Sequence, residues 1–240
     1  MIYLVSFPRS GSTWIRLFFE KYTGLPSGSI YENDGQDTPI INQGEERCII
    51  RSHHVYDLPP LKPEDKLIFL FRNPVNAIPS QIKFEGNPLT TERVILNLGR
   101  YIDLLWSYVA FHTHPKLLIY YEGMLRNFRQ EALKILTFAD LEVDDEKIKR
   151  FIDEHDSNFQ TYLNYFSEHG LGDKITFDDK VQSRGDALNE TQRGLIIYRI
   201  YILPPTPWMI MKPYIPKILV KDNRGATVEY IPYPLKFLTG

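Results

Sequence analysis

The run from residue 2 to residue 22 most limits how this chain can fold. Ile2-Tyr3-Leu4-Val5-Ser6 is a short apolar stretch that suits a buried strand. Phe7-Pro8-Arg9-Ser10-Gly11-Ser12-Thr13 follows at once, and Trp14 to Tyr22 then reads as a helix. Strand, tight turn and helix in that order open an α/β domain. The pattern recurs. Lys66–Phe71 predicts a strand, with Asn73 as cap and Pro74 in the first turn of the next helix. Residues 91–111 place Val94, Leu98, Ile102, Leu105 and Val109 on one apolar stripe. Lys116–Tyr121 reads as a further strand, and residues 131–138 and 146–155 as amphipathic helices. A shorter strand is expected at Arg47–Arg51, and residues 24–46, rich in Gly, Pro, Asn and Asp, read as surface connection. Alternation of this kind predicts an α/β fold with a mainly parallel sheet flanked by helices.

At 240 residues the chain suits one such domain, here expected over residues 1–200. Residues 201–240 break the alternation. Their prolines forbid one long helix, and 217–221 and 226–231 read as strands joined through Asp222-Asn223-Arg224-Gly225. The segment is expected to pack on the main domain as a Pro/aromatic-rich extension. Acceptor access or a homo-oligomer contact is its expected role, with donor binding left to the rest of the chain and Trp208 and Tyr214 exposed.

Cys48 is the single cysteine, which excludes an intramolecular disulfide, a CxxC redox pair and a cysteine-cluster zinc site. Basic residues number 28 and acidic ones 30, a balance that argues against a nucleic-acid partner but leaves room for a local anion pocket. No signal-peptide pattern and no membrane-length apolar run occur, so a cytoplasmic location is expected.

The Pro8–Trp14 loop carries the first chemical signal. At a strand-to-helix junction, backbone N–H groups and the helix dipole favour an anion. Gly11 permits close approach, Arg9 supplies a guanidinium fork, and Ser10, Ser12 and Thr13 supply hydroxyls. Trp14 can stack on a flat group; a plain capped helix with an apolar Trp would read the same way. The loop is not a Walker A motif, because it lacks the second glycine and the lysine.

Pro8-Arg9-Ser10-Gly11-Ser12-Thr13-Trp14 resembles the 5'-phosphosulfate loop of the sulfotransferase family that uses 3'-phosphoadenosine 5'-phosphosulfate (PAPS), with Arg9 in the place of a lysine common there. Residues 67–80 resemble the family's 3'-phosphate segment, in which Arg72 and Ser80 match the arginine and the serine eight positions later. Tyr121 resembles the nucleotide-side tyrosine, and Ser157 and Phe159 the adenine contacts. Arg184 and Gly185 match the 3'-phosphate cap, although the Gly-Asp-Trp that often follows is absent. The resemblance implies a P-loop-like fold, PAPS as sulfuryl donor, a hydroxyl acceptor, most simply a small molecule or metabolite, and no metal.

Arg51-Ser52-His53-His54 resembles the family segment that carries the general base. The match places His53 on that base, and a slip of one residue would make it His54 instead. Arg51 falls on a second basic position, where it can steady sulfonate oxygens or orient the loop. The catalytic set implied is therefore His53, Arg9 and Arg51. A non-catalytic nucleotide- or sulfated-ligand-binding protein and a nucleotide kinase-like phosphotransferase stand as alternatives. His112 and His114, and the acidic clusters at Glu45–Glu46 and Asp144–Glu146, read as surface or capping groups.

Overall fold

The computed structural model describes residues 1–31, 46–154, 157, 187–201, 203–214, 218–221 and 227–230. Strand β1 (Ile2–Ser6) is central. With β2 (Gly28–Ser29), β3 (Ile50–Ser52), β4 (Lys66–Phe71) and β5 (Lys116–Tyr120) it forms a sheet of order β2-β3-β1-β4-β5. Every pairing in this sheet is parallel. Because the side-chain period of a strand is two, Tyr3, Val5, Leu67, Phe69 and Phe71 enter one core and Leu4, Ile68, Leu70 and Ile119 the other. A parallel sheet buried on both faces in this way matches the α/β expectation.

Helices cover both faces. Helix α1 (Ser12–Thr23) enters the second core through Ile15, Phe18, Phe19 and Tyr22, and stops at Gly24, whose φ of 75° lets its N–H reach Glu20 O. Helix α4 (Tyr121–Arg126), α5 (Phe128–Phe138) and α6 (Asp145–Asp153) complete that layer. Helix α2 (Pro74–Phe84) begins as its sequence predicts, the Asn73 side chain accepting from Val75 N–H and Pro74 occupying the first turn. It continues through Pro79 to Phe84, although the missing N–H removes one intrahelical bond. Helix α3 (Thr91–Ala110) buries Val94, Leu98 and Leu105 of the predicted stripe, and adds Tyr101 and Leu104 to the first core.

Three expectations about the sheet change. The connection over 24–46 contains β2, which extends the sheet edge through Gly28 N–H to Ile49 O at 2.8 Å. Two residues are too few to show a period, so no sequence pattern announces this strand. The strand expected at Arg47–Arg51 lies at Ile50–Ser52 instead, because Cys48 N–H bonds Pro26 O and only Ile50 onward pairs with β1. Tyr121 starts α4 instead of ending β5.

Beyond α7 (Glu190–Tyr201), helix α8 (Pro205–Met211) and the 3₁₀ turn Lys212–Tyr214 bring Leu203, Ile210 and Met211 into the first core. Tyr120 donates its hydroxyl to Ile210 O at 2.7 Å. Tyr214 is half-buried, not exposed: its hydroxyl lies 2.6 Å from Glu122 Oε2 and 3.3 Å from Phe71 O. Strands β6 (Ile218–Lys221) and β7 (Thr227–Tyr230) pair antiparallel, close to the hairpin expected.

Candidate functional site

The chain leaves β1, crosses to β2 and β3 on one side, then returns to β4 on the other. Open α/β sheets hold ligands where the order reverses in this way, at the carboxyl ends of the strands. The five strands of this sheet point the same way, so Phe7–Gly11 after β1, His53 after β3, Arg72 after β4 and Tyr121 after β5 emerge along one edge. Four segments distant in sequence meet there because their strands are neighbours.

Gly11 caps α1 with φ 95° and, lacking a side chain, makes no side-chain cap bond to that helix end. An added Cβ would meet Tyr121 Cδ2 at 2.6 Å, so only glycine fits between loop and α4. Arg9 has φ 64°, a left-handed conformation that costs a non-glycine residue roughly 1–2 kcal/mol. The Arg72 Nη1–H donates to Arg9 O at 2.7 Å and holds that turn in place. Ser10 is fully buried, and its hydroxyl has no hydrogen-bond partner among the described residues. Ser12 is buried at the first position of α1, and Thr13 is half-buried beside it.

Arg72 is itself buried, with its guanidinium 4.7 Å from the centre of the Tyr121 ring. The buried Tyr101 hydroxyl donates to Arg72 O at 2.7 Å and fixes the backbone from below. Ser80 is buried two turns along α2. Trp14 stacks on Phe128, with centroids 5.2 Å apart and planes 8° from parallel, and meets Tyr121 edge-on. The Arg9 guanidinium lies over Phe84 at 4.9 Å.

The two histidines separate clearly. His53 Nδ1 lies 2.9 Å from Ser6 O, the last residue of β1. A carbonyl accepts only, so Nδ1 carries the proton and Nε2 keeps its lone pair. The ring stacks on Tyr31, whose hydroxyl accepts the His53 N–H at 2.9 Å and donates to Asp57 Oδ2 at 2.9 Å. Burial, then the charge of Arg51, pushes His53 down to about 3, with His54 and Arg16 adding to the effect. The neighbouring His54 has its backbone closed into a turn by the Ser52 hydroxyl, which bonds both its N–H and its C=O. Arg51 is half-buried in the middle of β3.

The sulfotransferase domain family profile matches residues 20–168, more than half of the chain. The chain belongs to the sulfotransferase domain family. The matched span contains the His53, Arg72 and Tyr121 segments, while the Pro8–Trp14 loop lies just ahead of it. Among curated relatives, a WSCD family member of Aedes aegypti is 27% identical over 162 residues, 60% of this chain and 51% of that protein. One of Drosophila melanogaster is 23% identical over 167 residues, 61% and 52% of the two chains. The chain therefore spans about half the length of the curated relatives it matches.

Among solved structures, the mouse sulfotransferase SULT7A1 complexed with PAP superposes with a TM-score of 0.58 at 17% identity, covering 88% of each chain. Retinol dehydratase in complex with retinol and PAP gives 0.60 at 13% identity, covering 83% of this chain and 79% of the other. These likenesses show the shared fold.

On this sulfotransferase fold, Arg9, Ser10, Gly11, Ser12, Thr13, Trp14, Arg51, His53, Arg72 and Tyr121 are brought to the carboxyl edge of the sheet or to the helices that start there. Ser157 is exposed. Phe159, Arg184 and Gly185 lie outside the described residues. Among the described residues no group of His, Cys, Asp and Glu is arranged to hold a metal, and no helix is long and apolar enough to cross a membrane. His112 sits exposed just past the end of α3, its Nδ1 2.9 Å from Ala110 O. Sequence reasoning missed Tyr31, Tyr101 and Glu122. Of these only Glu122 had a visible signal, since it follows Tyr121 in the segment already singled out.

Proposed function

We propose that this chain transfers the sulfuryl group of PAPS to the hydroxyl of a small-molecule acceptor. The observation that carries this reading is the Arg72 to Arg9 bond of 2.7 Å, which builds the loop after β1 and the segment after β4 into one scaffold. The residues present fit an anionic donor. Ser10 offers a buried hydroxyl without a partner among the described residues, and Gly11 at the α1 amino terminus makes no side-chain cap bond. When bound, PAPS supplies a sulfuryl group activated by its phosphate leaving group.

Ser10, Gly11, Ser12 and Thr13 then hold the 5' end, and Arg9 stabilises the negative charge that develops there. Arg72 and Ser80, with Arg184 and Gly185, hold the 3'-phosphate, and Trp14, Tyr121, Ser157 and Phe159 serve the nucleoside. Arg51 steadies sulfonate oxygens. His53 accepts the acceptor proton at Nε2, since Nδ1 is committed to Ser6 O. No covalent intermediate on the protein is required. The alcohols retinol and androsterone held by retinol dehydratase structures support a small hydroxyl acceptor.

The test is transfer of labelled sulfate from PAPS to a panel of alcohols, phenols, sugars and peptides. Turnover with a hydroxyl acceptor and with PAPS alone as donor supports the reading. ATP-dependent transfer would replace it with a kinase, and tight donor binding without turnover on any acceptor would replace it with a binding protein.

A further inference from the structure

The carboxylate of Glu122 stands between two segments that are far apart in sequence. Its Oε1 accepts the backbone N–H of Asn73 at 2.9 Å, the residue directly after Arg72 and the cap of α2. Its Oε2 accepts the Tyr214 hydroxyl at 2.6 Å. The same hydroxyl lies 3.3 Å from Phe71 O, one residue before Arg72. The turn that presents Arg72 is thus held from both sides: the Tyr101 hydroxyl donates to Arg72 O, and Glu122, itself held by the Tyr214 hydroxyl, accepts the Asn73 N–H.

Tyr214 lies in the segment that sequence reading separates from donor recognition. Its ring packs edge-on against Tyr120 at 5.7 Å. Burial, then the negative charge of Glu122, raises its phenol well above the ordinary range, so it stays protonated and donates. The Glu122 carboxylate is held between the two segments by these bonds. Here both oxygens are occupied by donors, one from the Arg72 turn and one from the tail.

We propose that Tyr214 and Glu122 are positioning residues for the 3'-phosphate site: the carboxy-terminal segment sets the Arg72 turn through the Tyr214–Glu122–Asn73 chain of hydrogen bonds. The proposal rests on the donor reading above. It assigns the tail a part in telling a 3'-phosphorylated nucleotide from one that lacks the group.

The experiment measures binding of 3'-phosphoadenosine 5'-phosphate and of adenosine 5'-monophosphate by calorimetry, with thermal melting in parallel. Tyr214→Phe keeps the ring and removes only the hydroxyl. It should weaken the bisphosphate by about fivefold or more, the lower end of ordinary coupling energies, and the monophosphate by less than about twofold. Glu122→Gln is the rescue: its oxygen still accepts from Asn73 N–H, its amide donates to Tyr214, and the Tyr214 proton turns to Phe71 O. It should retain the parental preference for the bisphosphate, whereas Glu122→Ala should lose it. Tyr120→Phe loosens the same segment at Ile210 without touching Glu122, and should lower the melting temperature while keeping the preference. Equal losses for both nucleotides in Tyr214→Phe, or no change in either, overturn the proposal. A parent protein that does not prefer the bisphosphate overturns the donor reading itself, a result no Tyr214 variant can produce.

Discussion

His53→Asn isolates one titrating group in the folding equilibrium. The ordinary imidazole value is 6.5, and in the native protein burial and the Arg51 charge push it down to about 3. Between those values the unfolded chain binds a proton that the folded chain refuses. Stability conferred by the neutral, buried ring is therefore complete above about pH 6.5 and falls as pH drops toward 3. At pH 5 the loss is about 2 kcal/mol, at 1.36 kcal/mol for each pH interval below the unfolded value. This figure barely depends on the native value, since anything below about 4 leaves the folded ring neutral at pH 5. Asparagine keeps a side-chain N–H for Ser6 O and does not titrate. Urea unfolding at pH 7.5 and pH 5.0 should show the variant losing about 2 kcal/mol less than the parent across that interval. The same comparison cancels His54, His112 and His114, which are common to both proteins. Parallel pH dependence in the two proteins would refute the reasoning, because it would mean that native His53 takes up its proton freely at pH 5.

His53→Ala should lower maximum turnover by roughly 10²–10⁴-fold with donor affinity near parental, and His54→Ala should not; loss of turnover in His54→Ala alone would move the base by one residue. Gly11→Ala places a Cβ 2.6 Å from Tyr121 at a φ of 95°, and should destabilise the protein by about 1–3 kcal/mol in thermal melting. An unchanged melting temperature would show that Tyr121 yields easily. Phe18→Ala empties a fully buried site among Tyr22, Phe128 and Phe151 and should cost about 3–5 kcal/mol by urea unfolding, with donor affinity preserved in the folded fraction.

The parts of the fold that a short stretch of chain encodes by itself were legible in sequence. Strand β1, strand β4, the Asn73 cap with Pro74, and the α3 stripe each depend on neighbours within a few residues. Strand β2 depends on partners more than twenty residues away and carries no period of its own, so it read as connection. The start of β3 depends on which residues reach β1, and Cys48 is drawn aside by Pro26 before that pairing begins. The loop residues and His53 could be singled out as candidates because they form contiguous patterns. Tyr31 and Glu122 could not be assigned roles, since each acts on the backbone of a residue 22 or 49 positions away. The register between His53 and His54 was open in sequence, and it is the Ser6 carbonyl, a group invisible to any motif, that ties one ring and not the other to the end of β1.

The base proposed here, His53, is pushed down from 6.5 to about 3, which looks ill-suited to accepting a proton near neutral pH. The causes of that depression resolve the difficulty. Burial comes first and Arg51 second, with His54 and Arg16 behind, so the ring is desolvated and the charged groups that depress it are cationic. One negative charge about 5 Å from the ring, at an effective dielectric near 20, favours the protonated form by about 3 kcal/mol, a rise of roughly two pKa units. The group that the Pro8–Trp14 loop is suited to hold carries more than one such charge. If the proposed donor binds beside Arg51 and Arg16, its charge would offset theirs, and part of the basicity of His53 would return in the complex. The acid-induced loss of stability assigned to His53 should accordingly shrink when a nucleotide bisphosphate is present, over and above the uniform stabilisation that any ligand of the folded state provides.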